Sequence, residues 1–166
     1  MSEGLRAMST KAKALFISHG GGPLPLLGEP CHAEMVKTLQ QLSHQLEKPK
    51  AIIVVSAHWE AEPIEVISQE QPSLYYDYYG FPPESYEIQY PCKGNPELAQ
   101  KVIKAGEAQG IAIKANLERG FDHGLFVPMK ILFPEADVPC IQVSLNSNLD
   151  AQTHLKLGEI LKSVLD

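Results

Sequence analysis

Ala51-Ile52-Ile53-Val54-Val55-Ser56-Ala57-His58-Trp59 is the stretch on which the reading of this chain turns. Its apolar, largely β-branched start fits a pleated strand. An uninterrupted apolar run, lacking the polar alternation of a half-exposed strand, is what a parallel strand covered on both faces shows. The run then ends in a histidine. A second run, Ala14-Leu15-Phe16-Ile17-Ser18-His19, repeats the arrangement, and a third histidine follows in Gly120-Phe121-Asp122-His123-Gly124. In an open α/β sheet, ligands collect just beyond the carboxyl ends of the strands, so His19 and His58 can converge on one ion although they are far apart in sequence. The pattern predicts a metal site at one edge of a sheet.

Outward from these runs, apolar strand-like segments alternate with segments of helical period, the pattern of a βαβ layer structure. The segment 14–18 leads into a Gly/Pro loop and then a helix over about 31–46, in which Met35, Val36, Leu39, Leu42 and Leu46 share one face. Strands are expected over 51–57, 64–67, 111–114 and 138–145. Asn95-Pro96 caps a helix that Gly110 stops, with Val102 and Ile103 toward the core. A last helix fills about 151–165. The expected fold is α/β, a mostly parallel central sheet with helices on both faces. A length of 166 residues with 44% hydrophobic content suits one domain with a proper core and is short for two.

The formal net charge is −6, with both signs scattered and no basic block, so nothing here would neutralise a phosphate backbone and nucleic acid is not an expected partner. No apolar run approaches the roughly 20 residues that span a bilayer, so no membrane is expected. Residues 1–13 lack a signal-peptide core. The three cysteines, Cys31, Cys92 and Cys140, have no CxxC spacing and read as reduced thiols of a cytoplasmic protein.

The segment 71–91 fits neither period. It holds all six tyrosines, Tyr75, Tyr76, Tyr78, Tyr79, Tyr86 and Tyr90, together with Phe81, Pro82 and Pro83. A loop this long inside a compact domain is functional or disordered, and its aromatic density argues against disorder. Two readings stay open: rings packed as a lid over the core, or a wall that receives a flat aromatic ligand.

The histidines divide into two groups. His32, His44 and His154 fall in helical segments and read as solvated or capping residues. His19 opens onto Gly20-Gly21-Gly22-Pro23, where missing Cβ atoms let the backbone approach an ion or substrate. His58 is aimed out of the sheet at the ligand-binding edge, and His123 lies in a glycine-flanked turn that can present the ring to a cavity or to a structural hydrogen bond. Other chemistries fit less well. His-Gly-Gly-Gly suggests an esterase oxyanion loop, but no Gly-x-Ser-x-Gly elbow accompanies it, and neither phosphate-binding glycine pattern is present.

Taken together, Phe16-Ile17-Ser18-His19-Gly20-Gly21-Gly22-Pro23, Val54-Val55-Ser56-Ala57-His58-Trp59, Gly80-Phe81-Pro82, Gly120-Phe121-Asp122-His123-Gly124 and Pro134-Glu135-Ala136-Asp137-Val138-Pro139 occur in the order found in the LigB-type, class III extradiol ring-cleavage dioxygenases. The chain resembles their DOPA extradiol dioxygenase branch most. That resemblance implies that His19 and His58 bind a catalytic Fe(II), with Zn(II) able to occupy the site in isolated protein, and that His123 lies beside the substrate as the candidate for proton handling. It implies a catechol such as DOPA or protocatechuate as substrate, opened with O2 to a muconic semialdehyde, with Tyr75, Tyr79 and Phe81 lining the ring pocket.

Family members run on for roughly another hundred residues, within the usual size of a single domain. Against that pattern, residues 1–13 read as an N-terminal extension and 14–166 as the N-terminal part of one dioxygenase domain, truncated before a further strand and the remaining active-site histidines. Asp122 or Glu60 would then be internal substitutes for a missing ligand. The alternative is a non-catalytic remnant that binds metal weakly or serves as an association module, a homo-oligomer being expected wherever a strand edge is left open.

Overall fold

The computed structural model describes residues 14–165. The expected extension at 1–13 lies outside them. Four strands, β1 (Ile52–Ala61), β2 (Ile64–Ile67), β3 (Ile113–Asn116) and β4 (Cys140–Asn146), form one sheet in the order β1-β4-β2-β3. The β1/β4 and β2/β3 pairs are parallel, and β2 meets β4 antiparallel at Val66 and Val143. The sheet is thus mixed but mostly parallel.

Its two faces carry separate cores, sorted by the period-2 alternation of strand side chains. Ile52 and Val54 of β1, Ile67 of β2 and Cys140 of β4 turn toward a core shared with helices α1 (Ala33–Ser43) and α3 (His123–Leu132). Ile53, Ile64, Val66, Ile141 and Val143 turn the other way, onto α2 (Pro96–Ala108) and α4 (Ala151–Ser163). Helices therefore cover both faces, as the apolar runs predict. Leu39 of α1 is buried, with Met35, Val36, Leu42 and Leu46 packed beside it. The Asn95 side chain accepts the Leu98 N–H at 3.0 Å, and Gly110 takes φ +72° just beyond the end of α2. Asp150 likewise accepts the Thr153 N–H to start α4.

Three expectations are corrected. Residues 14–18 form no strand: Phe16 is fully exposed, Leu15 half so, and only Ile17 packs against the core. A strand requires a neighbour for its N–H and C=O groups, and among the described residues none pairs with this segment. For the same reason β1, whose apolar run resembles an interior strand, is an edge strand, with Val55 exposed. The third correction concerns 121–132. The expected glycine-flanked turn is the start of α3, a helix so thoroughly buried that Leu125, Phe126 and Val127 are all at 0% exposure. A helix covered all round shows no amphipathic stripe, and Pro128 within it further masks the period. The helix expected from residue 31 begins as a short 3-10 turn, Pro30–His32, ahead of α1. The three cysteines are free thiols.

Candidate metal centre

His58 owes its position to a break in the ladder. β1 follows β4 in register from Ile52↔Cys140 to Ser56↔Ser144, and pairing resumes only at Glu60↔Leu145. The residues between, Ala57-His58-Trp59, form a bulge, a device that re-aims side chains at sheet ends. The Ser56 hydroxyl accepts the His58 N–H at 3.2 Å and steadies it.

His19 reaches the same place from a loop and not from a strand end. Gly20 (φ +76°) and Gly22 (φ +56°) take left-handed conformations that favour glycine. Both also make close approaches within the protein: a Cβ on Gly20 would lie 2.5 Å from the His32 ring, and one on Gly22 would lie 2.9 Å from Phe81. His32 also accepts the Gly21 N–H at 3.0 Å, so this histidine anchors the loop that carries His19. His154 has a comparable role, accepting the Asn146 N–H at 3.1 Å.

His123 is the first residue of α3. The three rings meet: their centroids lie 4.8 Å (His19 and His58), 4.9 Å (His19 and His123) and 4.1 Å (His58 and His123) apart. The Nε2 atoms of His19 and His58 are 2.8 Å apart, and one candidate ligand atom from each of the three histidines falls within 4.8 Å of the others. Imidazole suits iron, zinc and copper alike, so the donor set fits a transition metal without choosing one. Burial first, and then the neighbouring His123 and His58, hold the His19 pKa below the ordinary histidine value, although Asp122 and Asp77 pull it the other way. The neutral ring is the ligating form.

Behind this cluster lies a buried network that motif reading missed. Asp122, at 0% exposure, accepts the Ser56 hydroxyl at 2.9 Å and pairs with Arg119 at 3.2 Å. The Arg119 guanidinium lies 4.8 Å from the ring centres of both Trp59 and Tyr75. Both Asp122 oxygens thus face Ser56 and Arg119, and the carboxylate is not part of the three-histidine cluster, while Glu60 is exposed beyond the bulge. Asp77, from the tyrosine-rich segment, accepts both the backbone N–H of His123 (3.0 Å) and its Nδ1–H (2.7 Å). Burial is the largest single influence on Asp77 and raises its pKa, but the His123 hydrogen bonds, the His123 charge and a backbone hydrogen bond together leave the carboxyl below its usual value. Nothing in the sequence marks this aspartate, since its partner is 46 positions away.

The three aromatic candidates separate. Phe81 packs on Gly22 and on Tyr78, with ring centres 5.4 Å apart in the second contact, beside the His19 loop. Tyr75 instead lines a cleft of about 440 Å³ with Trp59, Ser73 and Arg119. Tyr79 is 91% exposed. The tyrosine that does face the histidines is Tyr78, 5.8 Å from the His123 ring. Its hydroxyl donates to the Ser85 carbonyl at 2.6 Å, and burial, then Tyr76, Tyr86 and Asp77, push its pKa up, so it stays protonated. Much of the segment is the lid reading made concrete: Tyr76, Tyr78, Tyr86 and Phe126 pack ring against ring.

Gly124 is the contact point of α3 with the bulge. A Cβ there would lie 2.7 Å from Ser56 Oγ, 3.0 Å from Asp122 Oδ1 and 3.1 Å from His58 Cδ2. Gly124→Ala should force these groups apart at a cost of about 1–3 kcal/mol and weaken metal binding. Thermal melting with a chelator-competition titration checks both, and unchanged affinity would show that His58 is not held from this side.

A family model, described as the catalytic LigB subunit of aromatic ring-opening dioxygenase, matches residues 13–166. The chain is 41% identical over 164 residues to "Dioxygenase tasH" of Hapsidospora irregularis, covering 92% of this chain and 50% of that protein. It is 36% identical to a 4,5-DOPA dioxygenase extradiol of Beta vulgaris (93% of this chain, 58% of that protein) and 35% identical to one of Escherichia coli K12 (95% and 56%). Among solved structures, an uncharacterized protein of Escherichia coli K12 superposes with a TM-score of 0.63 at 32% identity, covering 80% of this chain and 48% of that one. The chain spans about half the length of the curated relatives it matches. No helix among the described residues is long and apolar enough to cross a membrane. With that match running through the His19 loop, the β1 bulge and the start of α3, the chain belongs to the LigB family of aromatic ring-opening dioxygenases.

Proposed function

We propose that this chain carries the metal-binding half of an extradiol dioxygenase site, acting on a catechol such as DOPA or protocatechuate and opening the ring beside its hydroxyls to a muconic semialdehyde. The observation that supports the reading most is the convergence of three imidazoles, with candidate ligand atoms within 4.8 Å, from a loop, a bulge and a helix start. His19 and His58 would hold Fe(II), which Zn(II) can replace in isolated protein. When bound, the iron would supply the electron transfer between catechol and O2 that ring opening requires.

The chain's own residues would do the rest. His123 would take a phenolic proton at the ring nitrogen that Asp77 leaves free and later return one, the general acid–base work in which histidine is most often used. Tyr78 and Phe81 would form an apolar wall against which the ring lies, excluding water from that side. Since the Tyr78 hydroxyl is committed to Ser85, it offers a ring face and no proton. Tyr75 would line the outer cleft.

Loaded with Fe(II) in air, the 166-residue protein should convert DOPA or protocatechuate to yellow semialdehyde above the rate of free iron, yet below the order of one turnover per second of ordinary enzymes. His123→Ala should cut that turnover while leaving bound iron nearly unchanged. Iron lost in proportion to activity would make His123 a third ligand, and no iron-dependent product from either catechol would favour the association module.

A further inference from the structure

We propose that Asp77 is the positioning residue for His123, fixing its proton on Nδ1 and leaving Nε2 a bare acceptor on a ring packed against those of His19 and His58. The function of that arrangement rests on the reading of the site given above. The arrangement itself follows from the hydrogen bonds. A carboxylate is an acceptor only, so the ring nitrogen 2.7 Å from Asp77 Oδ1 must carry the hydrogen. In a neutral imidazole the other nitrogen then holds the lone pair.

The same oxygen also accepts the backbone N–H of His123 at 3.0 Å, so ring and backbone are gripped at one point and the side chain cannot turn without breaking a bond. Asp77 thereby takes over a duty that usually falls to the N-cap residue, here Asp122. Asp122 precedes α3 as its N-cap residue but makes no capping bond, because its carboxylate is turned to Ser56 and Arg119. The first turn of α3 is capped instead from the tyrosine-rich segment. This ties the aromatic wall and the proton-handling ring into one unit.

The consequence for chemistry is specific. A histidine with hydrogen on Nε2 could neither accept a phenolic proton there nor offer that nitrogen to an ion, whereas one held by a carboxylate at Nδ1 can do either, and the charge behind it stabilises the imidazolium once a proton arrives.

The test reads the tautomer directly, by nitrogen-15 NMR of histidine-labelled 166-residue protein without metal, the His123 signals being identified by their loss in His123→Gln. The wild-type ring should be almost wholly Nδ1–H. Asp77→Ala should convert it to a majority of Nε2–H. Asp77→Asn, which keeps an acceptor oxygen and caps helices as well as aspartate, should restore Nδ1–H. A merely structural cap would leave the tautomer of Asp77→Ala unmoved, and that result would overturn the proposal. So would a wild-type ring found with its hydrogen on Nε2, a measurement that needs no variant to fold. Because no metal or substrate takes part, a failure here is distinct from a failure of the dioxygenase reading, which iron binding and turnover decide.

Discussion

Replacing His19 and His58 together by Ala should abolish tight binding of divalent metal, weakening it by more than about 100-fold, while circular dichroism shows the fold retained. Loss of a single outer hydrogen-bond partner of a metal-binding histidine costs about 10- to 100-fold in affinity, so loss of two imidazoles exceeds that range. The fold should survive because neither side chain is a core member: His58 is exposed on its bulge and His19 only half-buried on its loop. Zn(II) competition against a chromophoric chelator measures the change. Full occupancy in the double variant would remove the assignment of both residues.

Asp122→Ala should produce the largest loss of stability of any substitution near the site. Asp122 is at 0% exposure and its partner Arg119 at 19%, so solvent screens the charge left behind only in part. Breaking a buried pair by removing one partner costs about 3–5 kcal/mol. The Ser56 hydroxyl would lose its acceptor as well. For a chain of this size that corresponds to a fall in melting temperature of about 6–20 °C. Asp122→Asn, which keeps an acceptor for Ser56, should fall in between. A melting temperature for Asp122→Ala within a degree or two of wild type would show that the network carries no stability.

What the sequence made legible was whatever local chemistry decides. α2 could be placed from its ends alone because Asn95, Pro96 and Gly110 act on their own backbone, and β2 and β4 because apolar runs of strand length have few alternatives. The failures share a cause. Whether 14–18 becomes a strand depends on a neighbour, and its residues are as strand-like as those of β1. α3 went unseen because a helix buried on all sides has no polar face to betray its period. Within the site, His19 and His58 stood out by their place after apolar runs, and their convergence with His123 is present in the structure. Asp77 did not stand out, being one aspartate among tyrosines whose meaning arises only when the chain brings it to His123. That Tyr78 lies beside His123 while Tyr79 is exposed depends on the direction of adjacent side chains in an irregular loop, which no periodicity records.

The three histidines do not share one mechanical footing. His58 sits in a bulge that is flanked on both sides by pairing with β4 and His123 starts a helix whose apolar side chains are buried, whereas His19 follows a segment with no strand pairing and most of its side chains in solvent. Local opening draws on the parts with few buried contacts and exposed backbone. Amides of 14–18 should therefore exchange with solvent almost freely while those of 125–132 exchange only with global unfolding. The site is accordingly held unevenly, two rings on hydrogen-bonded elements and the third on a loop pinned by His32. Under thermal or denaturant stress it should open first from the His19 side.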